Sequence, residues 1–244
     1  MQDIFSHKSY AFIFGHPDDE MYSTTLIKSL VDTRKRVVLV YISSGNRYGD
    51  NIGLLREEEV TKVAAMLHIP EDGLYLLHIT EREVKLNLDK ILAKLKQILR
   101  DNKTDCVITH DHEGGHSVHD FTSFCAYKSA RAAHADLWFF PAYHKQPHER
   151  VVNEFIDGRD ADLHLELNSE QAALKTKIIE THITQKKYFE KLSQEDMERL
   201  LKREIFRQVN GKLDYTIQPT TPVGFDFDGS PTRLSDFLSA INKI

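Results

Sequence analysis

The sequence predicts an α/β protein with a Rossmann-like three-layer α/β/α architecture and a mostly parallel sheet. Three observations lead there. Short β-branched and aromatic runs alternate with longer amphipathic stretches, the signature of repeated βαβ units. One run, Val37-Val-Leu-Val-Tyr-Ile42, is apolar throughout, as strands covered on both faces are. No linker, repeat or low-complexity tract interrupts the 244 residues, so a single domain over 1–244 with a sizeable core is expected.

The elements follow in order. A strand is predicted over 10–14 and a helix over 20–33, then a strand over 37–42 and a helix over 54–67. A strand over 74–79 precedes a helix over 86–101, where Leu86, Ile91, Leu92, Leu95, Ile98 and Leu99 form a core-facing stripe. The lysines of that segment, Lys85, Lys90, Lys94 and Lys96, read as a solvated face. A strand over 106–109, a helix over 119–133 and a strand over 137–140 complete the alternation. Residues 161–168 alternate apolar with polar and predict an added edge strand, followed by a helix over 169–192. Residues 219–230, rich in Thr, Pro, Gly and Asp, read as a loop, and 235–244 as a short docked helix.

Composition narrows the function. A formal charge of −5 and a pI near 6.2, with no basic patch interleaved with aromatics, argue against nucleic-acid partners. Two cysteines give no disulfide framework, and Cys106, inside an apolar strand, reads as a small core residue. No apolar run approaches the roughly 20 residues of a membrane span, and MQDIFSHKSY lacks the apolar region of a signal peptide. A cytoplasmic protein is expected.

The chemistry concentrates at two strand ends. Ala-Phe-Ile-Phe-Gly runs into His16-Pro17-Asp18-Asp19-Glu20, so one imidazole and three carboxylates gather at the C-terminal edge of the first strand, where open α/β sheets bind ligands. Helix capping would need one acid rather than three acids after a histidine. The fourth strand runs into THDHEGGHSVHD, with His110, His112, His116 and His119 within ten residues; His116 and His119, three apart, share a face on a first helical turn. Imidazoles with carboxylates suit a borderline cation such as zinc. A divalent-metal phosphoester hydrolase, or a non-catalytic sugar-binding module, would use similar residues. A nucleotide-binding module fits less well, because no G-x-G-x-x-G or P-loop follows a strand.

Together these motifs resemble the PIG-L/LmbE-like zinc-dependent N-acetylglucosaminyl deacetylase family. His16-Pro17-Asp18-Asp19-Glu20 and Gly115-His116-Ser117-Val118-His119 carry the resemblance, and Arg56-Glu57-Glu58-Glu59, Lys175, His182-Ile183-Thr184-Gln185 and the pair Glu204 and Phe206 extend it over roughly residues 10–207. The resemblance implies Zn2+ held by His16, Asp19 and His119, with Asp18 as general base. It implies for His116 a role as transition-state stabiliser or acid. Arg56 would reach substrate, and His182 would either reach substrate or support a residue that does. Tyr143, His144 and His148, which follow the last apolar run, fall where this topology places an active-site rim. The implied reaction is hydrolysis of the acetamide of an N-acetylglucosamine-type sugar in a glycoside or glycoconjugate. Three positions depart from the family. Val118 stands where relatives often have aspartate or asparagine, leaving Asp111 or Asp120 to replace that acid. Gly114 stands where some have tyrosine, and Ser44-Gly45-Asn46-Arg47 where many have a Gly-Glu pair. The aglycone and the oligomeric state are not written in these motifs.

Overall fold

The computed structural model describes residues 3–46, 51–146, 149–156, 158, 160–220, 223–226 and 232–244. Arg47 and His148 lie outside these described residues. In chain order the elements are β1 (Ser9–Phe14), α1 (Thr24–Asp32), β2 (Arg36–Ser43), α2 (Ile52–Met66), β3 (Leu74–Ile79), α3 (Leu88–Asp101), β4 (Cys106–His110), α4 (Ser117–Ala133) and β5 (Asp136–Phe140). A hairpin of β6 (Tyr143–Gln146) and β7 (Glu149–Val152) comes next, then β8 (Leu163–Glu166), α5 (Ser169–Thr181), α6 (Lys186–Phe189), α7 (Gln194–Lys202), β9 (Arg203–Gln208) and α8 (Leu234–Ile241).

The main sheet has the order β3-β2-β1-β4-β5-β9-β8. Its first five strands are parallel; β9 runs antiparallel to β5, and β8 antiparallel to β9. The chain winds outward from β1 through β2 and β3, then crosses to β4 and β5. At that reversal the C-terminal ends of β1 and β4 leave the sheet side by side, which opens a crevice between them. Because Ile13 pairs with Thr109, the turn after β1 and the His tract after β4 emerge as neighbours.

Pleating sends alternate strand residues into two cores. Ala11, Ile13, Val38, Val40 and Val107 meet α3, α4 and α8, including Leu95, Phe121 and Phe237. Tyr10, Phe12, Phe14, Leu39, Cys106 and Ile108 meet the other layer, including Leu26, Val60 and Ile178. This double burial explains why the central strands read as continuous apolar runs.

Several boundaries differ from expectation. The segment predicted as one helix over 20–33 begins as a 3-10 turn, Asp19–Tyr22, because it must first aim its carboxylates. Leu86 is 76% exposed in a 3-10 turn before α3, so it leaves the predicted stripe. The helix expected over 169–192 breaks after Thr181. Strand β9 has no apolar run of its own: only Ile205 and Phe206 are apolar, and pairing with β5 and β8 makes it a strand. The β6–β7 hairpin was not anticipated. No helix among the described residues is long and apolar enough to cross a membrane.

Candidate active site

The turn after β1 is knotted by its own polar groups. Asp19 Oδ2 accepts the backbone N–H of His16 at 2.7 Å, and the Asp19 N–H returns to the His16 carbonyl. Asp18 adopts φ 120°, a conformation that costs a non-glycine residue roughly 1–3 kcal/mol. The turn is held by its neighbours: Glu20 Oε2 accepts the Asp18 N–H at 3.1 Å, and Arg56 donates to the Pro17 carbonyl and, at 2.9 Å, to Asp18 Oδ1. The consequence is a division of direction. Asp18 faces the guanidinium of α2, and Asp19 faces the imidazoles of the His tract.

His16, Asp19 and His119 converge. His16 Nδ1 lies 3.1 Å from His119 Nε2, His119 Nε2 lies 3.3 Å from Asp19 Oδ1, and His16 Nδ1 lies 3.6 Å from the nearer Asp19 oxygen. A tetrahedral ion about 2.0–2.1 Å from its donors separates them by about 3.3 Å, so the spacing is that of a metal site; the donor groups close enough to share an ion are His16, His116 and His119, and Asp19, His110 and His119. The remaining nitrogens agree. His16 Nε2 faces Glu81 at 3.6 Å, the outer carboxylate that histidine ligands commonly address. Burial pushes His119 down to about 3, which keeps it neutral and able to ligate. For Asp19, burial opposes ionisation, but His119 and His110 hold it well below the usual carboxylate range.

His110 has a place here that its sequence context did not reveal. It stacks on His119 with centroids 4.1 Å apart, and its Nε2 lies 3.0 Å from Asp19 Oδ2. It therefore braces the carboxylate from behind, and only its position at the end of β4 hinted at this.

His116 is the N-cap of α4, where its Nδ1 accepts the Val118 N–H at 3.2 Å. With Nδ1 accepting there, Nε2 is the ring nitrogen that can donate. The side chain at position 118 is a valine and brings no acid to this ring. Of the two acids that could replace it, Asp111 pairs with Arg207 at 2.7 Å, and Asp120 accepts the N–H groups of Glu113 and Gly114. Gly115 allows the loop to pass the hairpin, because a Cβ there would lie 2.0 Å from the Tyr143 carbonyl oxygen.

A cavity of about 120 Å³ opens over these groups, lined by His16, Asp18, Asp19, Arg56, Glu81, His116 and His119 and walled by Met21, Tyr22, Tyr143, Gln185 and Tyr188. Arg56 and Tyr143, two of the residues proposed to contact substrate, lie on its lining. His182 and His144 are not on its wall. His182 is 1% exposed, bonded to Glu20 and 3.8 Å from Glu59. Burial opposes its protonation, but Glu20 and Asp18 outweigh this and raise its pKa. Its neighbour Thr184 donates twice to Glu59, so the segment His182–Gln185 braces Glu20, which in turn holds the Asp18 peptide. His144 is 3% exposed in the hairpin, and burial lowers its pKa.

Comparison with known proteins gives one family match and several matches of fold. The family model PIG-L, described as GlcNAc-PI de-N-acetylase, matches residues 11–130. No curated protein sequence matches the chain. Among solved structures, the zinc-inhibited form of teicoplanin deacetylase Orf2 aligns with a TM-score of 0.62 at 11% identity, covering 78% of this chain and 90% of that one. N,N'-diacetylchitobiose deacetylase from Pyrococcus horikoshii aligns with 0.61 at 18% identity, covering 84% of each chain. GalB, the 4-carboxy-2-hydroxymuconate hydratase from Pseudomonas putida KT2440, aligns with 0.54 at 12% identity, covering 85% and 98%. At such identities the likeness is one of fold.

Proposed function

The chain belongs to the PIG-L family over residues 11–130, and on that premise we propose that it is a metal-dependent amidohydrolase. Its substrate is the acetamide of an N-acetylglucosamine-type sugar carried in a glycoside or glycoconjugate. Zinc is the metal, held by His16, Asp19 and His119; two imidazoles favour it over magnesium, which takes oxygen donors. Bound there, zinc would supply Lewis acidity.

The observation that carries the reading is Asp18. Arg56 clamps its Oδ1, its other oxygen has no protein partner among the described residues, and the side chain lines the cavity beside the three donors. Burial pushes Asp18 up to about 6 against the pull of Arg56, a range suited to general-base work near neutrality. In the hydrolysis, water adds to the acyl carbon, the C–N bond breaks, and acetate and a free amine leave. Asp18 takes the proton of the water and returns it to the departing nitrogen. His116, donating through Nε2, stabilises the oxyanion as a neutral hydrogen-bond donor rather than as a cation. The hydratase among the fold relatives shows that the fold by itself does not choose the reaction; the base beside a zinc-type donor set and the family membership support hydrolysis. Two buried free cysteines, Cys106 and Cys125, suit a reducing, cytoplasmic setting.

The test is acetate release from N-acetylglucosaminides with and without added zinc, in wild type and Asp18→Asn. Wild type should release acetate with zinc. Asp18→Asn should keep stoichiometric zinc and lose on the order of a hundred- to ten-thousand-fold in turnover. Near-normal turnover in Asp18→Asn, or no release by zinc-loaded wild type, would overturn the proposal.

A further inference from the structure

Glu113, in the His tract, is a buried acid that the reaction leaves unused; it is 1% exposed. The reason for its burial lies in the ladder between β4 and β5. His110 pairs with Phe140 as the last rung, and the Asp111 N–H donates to the Phe140 carbonyl. The two strands then part. Pro141 has no N–H to offer, and the next two N–H groups, those of Ala142 and Tyr143, both donate to Glu113 Oε2, at 2.9 and 3.2 Å. A side chain takes over where the ladder stops. Asp120 of α4 fixes the other end, accepting the Glu113 N–H at 3.1 Å. Two carboxyl groups thus tie α4, the His tract and the entry to the β6–β7 hairpin in series.

What the tie holds is Tyr143. Its ring walls the cavity and stands edge-to-face on His119 with centroids 5.3 Å apart. A ring swings from its own backbone, so a shift of the Tyr143 peptide is a shift of the cavity wall. Glu113 Oε1 has no hydrogen-bond partner, so the hold on the hairpin rests on Oε2 alone. Burial, with Asp111 and Asp120 nearby, pushes the Glu113 carboxyl well above the usual range, which favours the neutral acid. The carbonyl oxygen of a neutral acid still accepts both N–H groups, and the side-chain carbonyl of glutamine reproduces it. Leaving both donors buried without an acceptor would cost the hairpin its seat.

We propose that Glu113 is a positioning residue: through the peptides of Ala142 and Tyr143 it sets the Tyr143 ring as a wall of the cavity that receives substrate. The inference rests on the deacetylase reading and adds to it a residue that acts only through another, from behind the wall.

The experiment measures acetate release from p-nitrophenyl N-acetylglucosaminide by zinc-loaded full-length protein, in wild type, Glu113→Gln, Glu113→Asp and Glu113→Met. Glutamine keeps the acceptor at the same reach, aspartate keeps an acid one methylene short, and methionine keeps the bulk alone. Glu113→Gln should match wild type. Glu113→Asp and Glu113→Met should raise KM by about tenfold with kcat within about threefold, because a displaced wall weakens ground state and transition state alike. In a Tyr143→Ala background the same two substitutions should leave KM where Tyr143→Ala alone puts it, since the two residues act as one unit. Incorporated 3-fluorotyrosine, with the Tyr143 resonance assigned by Tyr143→Phe, reads the ring directly. That fluorine resonance should keep its wild-type shift in Glu113→Gln and move in the other two. A loss in Glu113→Gln equal to that in Glu113→Met, an unmoved resonance in Glu113→Asp, or a KM effect undiminished without the Tyr143 ring overturns the inference and leaves the deacetylase reading standing. If wild type releases no acetate, that reading falls, and the resonance alone decides whether Glu113 sets the ring.

Discussion

Arg56 joins two loops of the site and its base through one side chain. It donates to the Gly45 and Pro17 carbonyls and to Asp18 Oδ1, and it is 5% exposed. Gly45 makes room for it: at φ 68°, a Cβ would lie 2.2 Å from Nη1. Burial raises Asp18 and Arg56 lowers it, so removing the guanidinium should raise Asp18 further. A general base works unprotonated, so activity is lost as pH falls through its pKa. In Arg56→Met the acidic limb of the kcat/KM profile should therefore move to higher pH, with lower activity near neutrality. An acidic limb at the wild-type position in Arg56→Met would separate Arg56 from the base. At this scale the contiguous motif was legible: His16, Asp18 and Asp19 are close in sequence, and their chemistry shows in one decapeptide. The bracing residues were not. His182 meets Glu20 and Thr184 meets Glu59 across more than a hundred residues of chain, and such pairs leave no local pattern.

At the scale of elements, the start of α1 is anchored from outside the helix. The first backbone N–H groups of a helix lack internal partners, and Glu204 of β9 accepts those of Thr25 and Leu26 at 2.7 and 3.0 Å. Lys175 of α5 meets the same carboxylate at 2.9 Å, with both side chains fully buried. The glutamate that resembled part of a family signature is thus a staple joining α1, α5 and β9, just beyond the end of the Asp19–Tyr22 turn. Glu204→Ala should destabilise the protein by about 3–5 kcal/mol in urea unfolding, since it strands a buried ammonium. Adding Lys175→Met should recover much of that loss but not the two helix N–H groups. A single mutant within experimental error of wild type would contradict the staple. Gly115→Ala tests the contact between loop and hairpin. The clash is with the Tyr143 backbone oxygen, so no rotamer relieves it, and deacetylation should drop at least tenfold (on the scale of a misplaced catalytic group) with helix content retained by circular dichroism. The core strands of the sheet could be read because each carries its own apolar run. Strand β9 and the β6–β7 hairpin could not, because their partners rather than their own composition make them strands.

Across the whole molecule, the winding reversal sets the site between two motif-bearing turns, while the C-terminal segment closes the opposite layer. His112 marks that closure. Its ring lies 4.8 Å from Tyr215 and 5.8 Å from Phe237 of α8, and burial pushes it down to about 4. The facing acid, Asp120, has Oδ2 3.8 Å from His112 Nε2, but burial pushes that carboxyl up to about 8, so it offers little negative charge to hold a cation. The sign of the linkage is then definite. The unfolded histidine titrates near 6.5 and the folded one near 4, so between these values only the unfolded chain takes up the proton. The folded state keeps the full contribution of neutral His112 above about pH 6.5 and loses it as pH falls, by about 2 kcal/mol at pH 5. His112→Phe, which keeps an aromatic ring between Tyr215 and Phe237, should remove this component. Urea unfolding of both proteins at pH 7.5 and pH 5 measures it as a difference, which cancels the acid sensitivity of the zinc-type donors common to both. A wild-type loss on acidification no larger than that of His112→Phe would show that His112 is free to protonate within the fold.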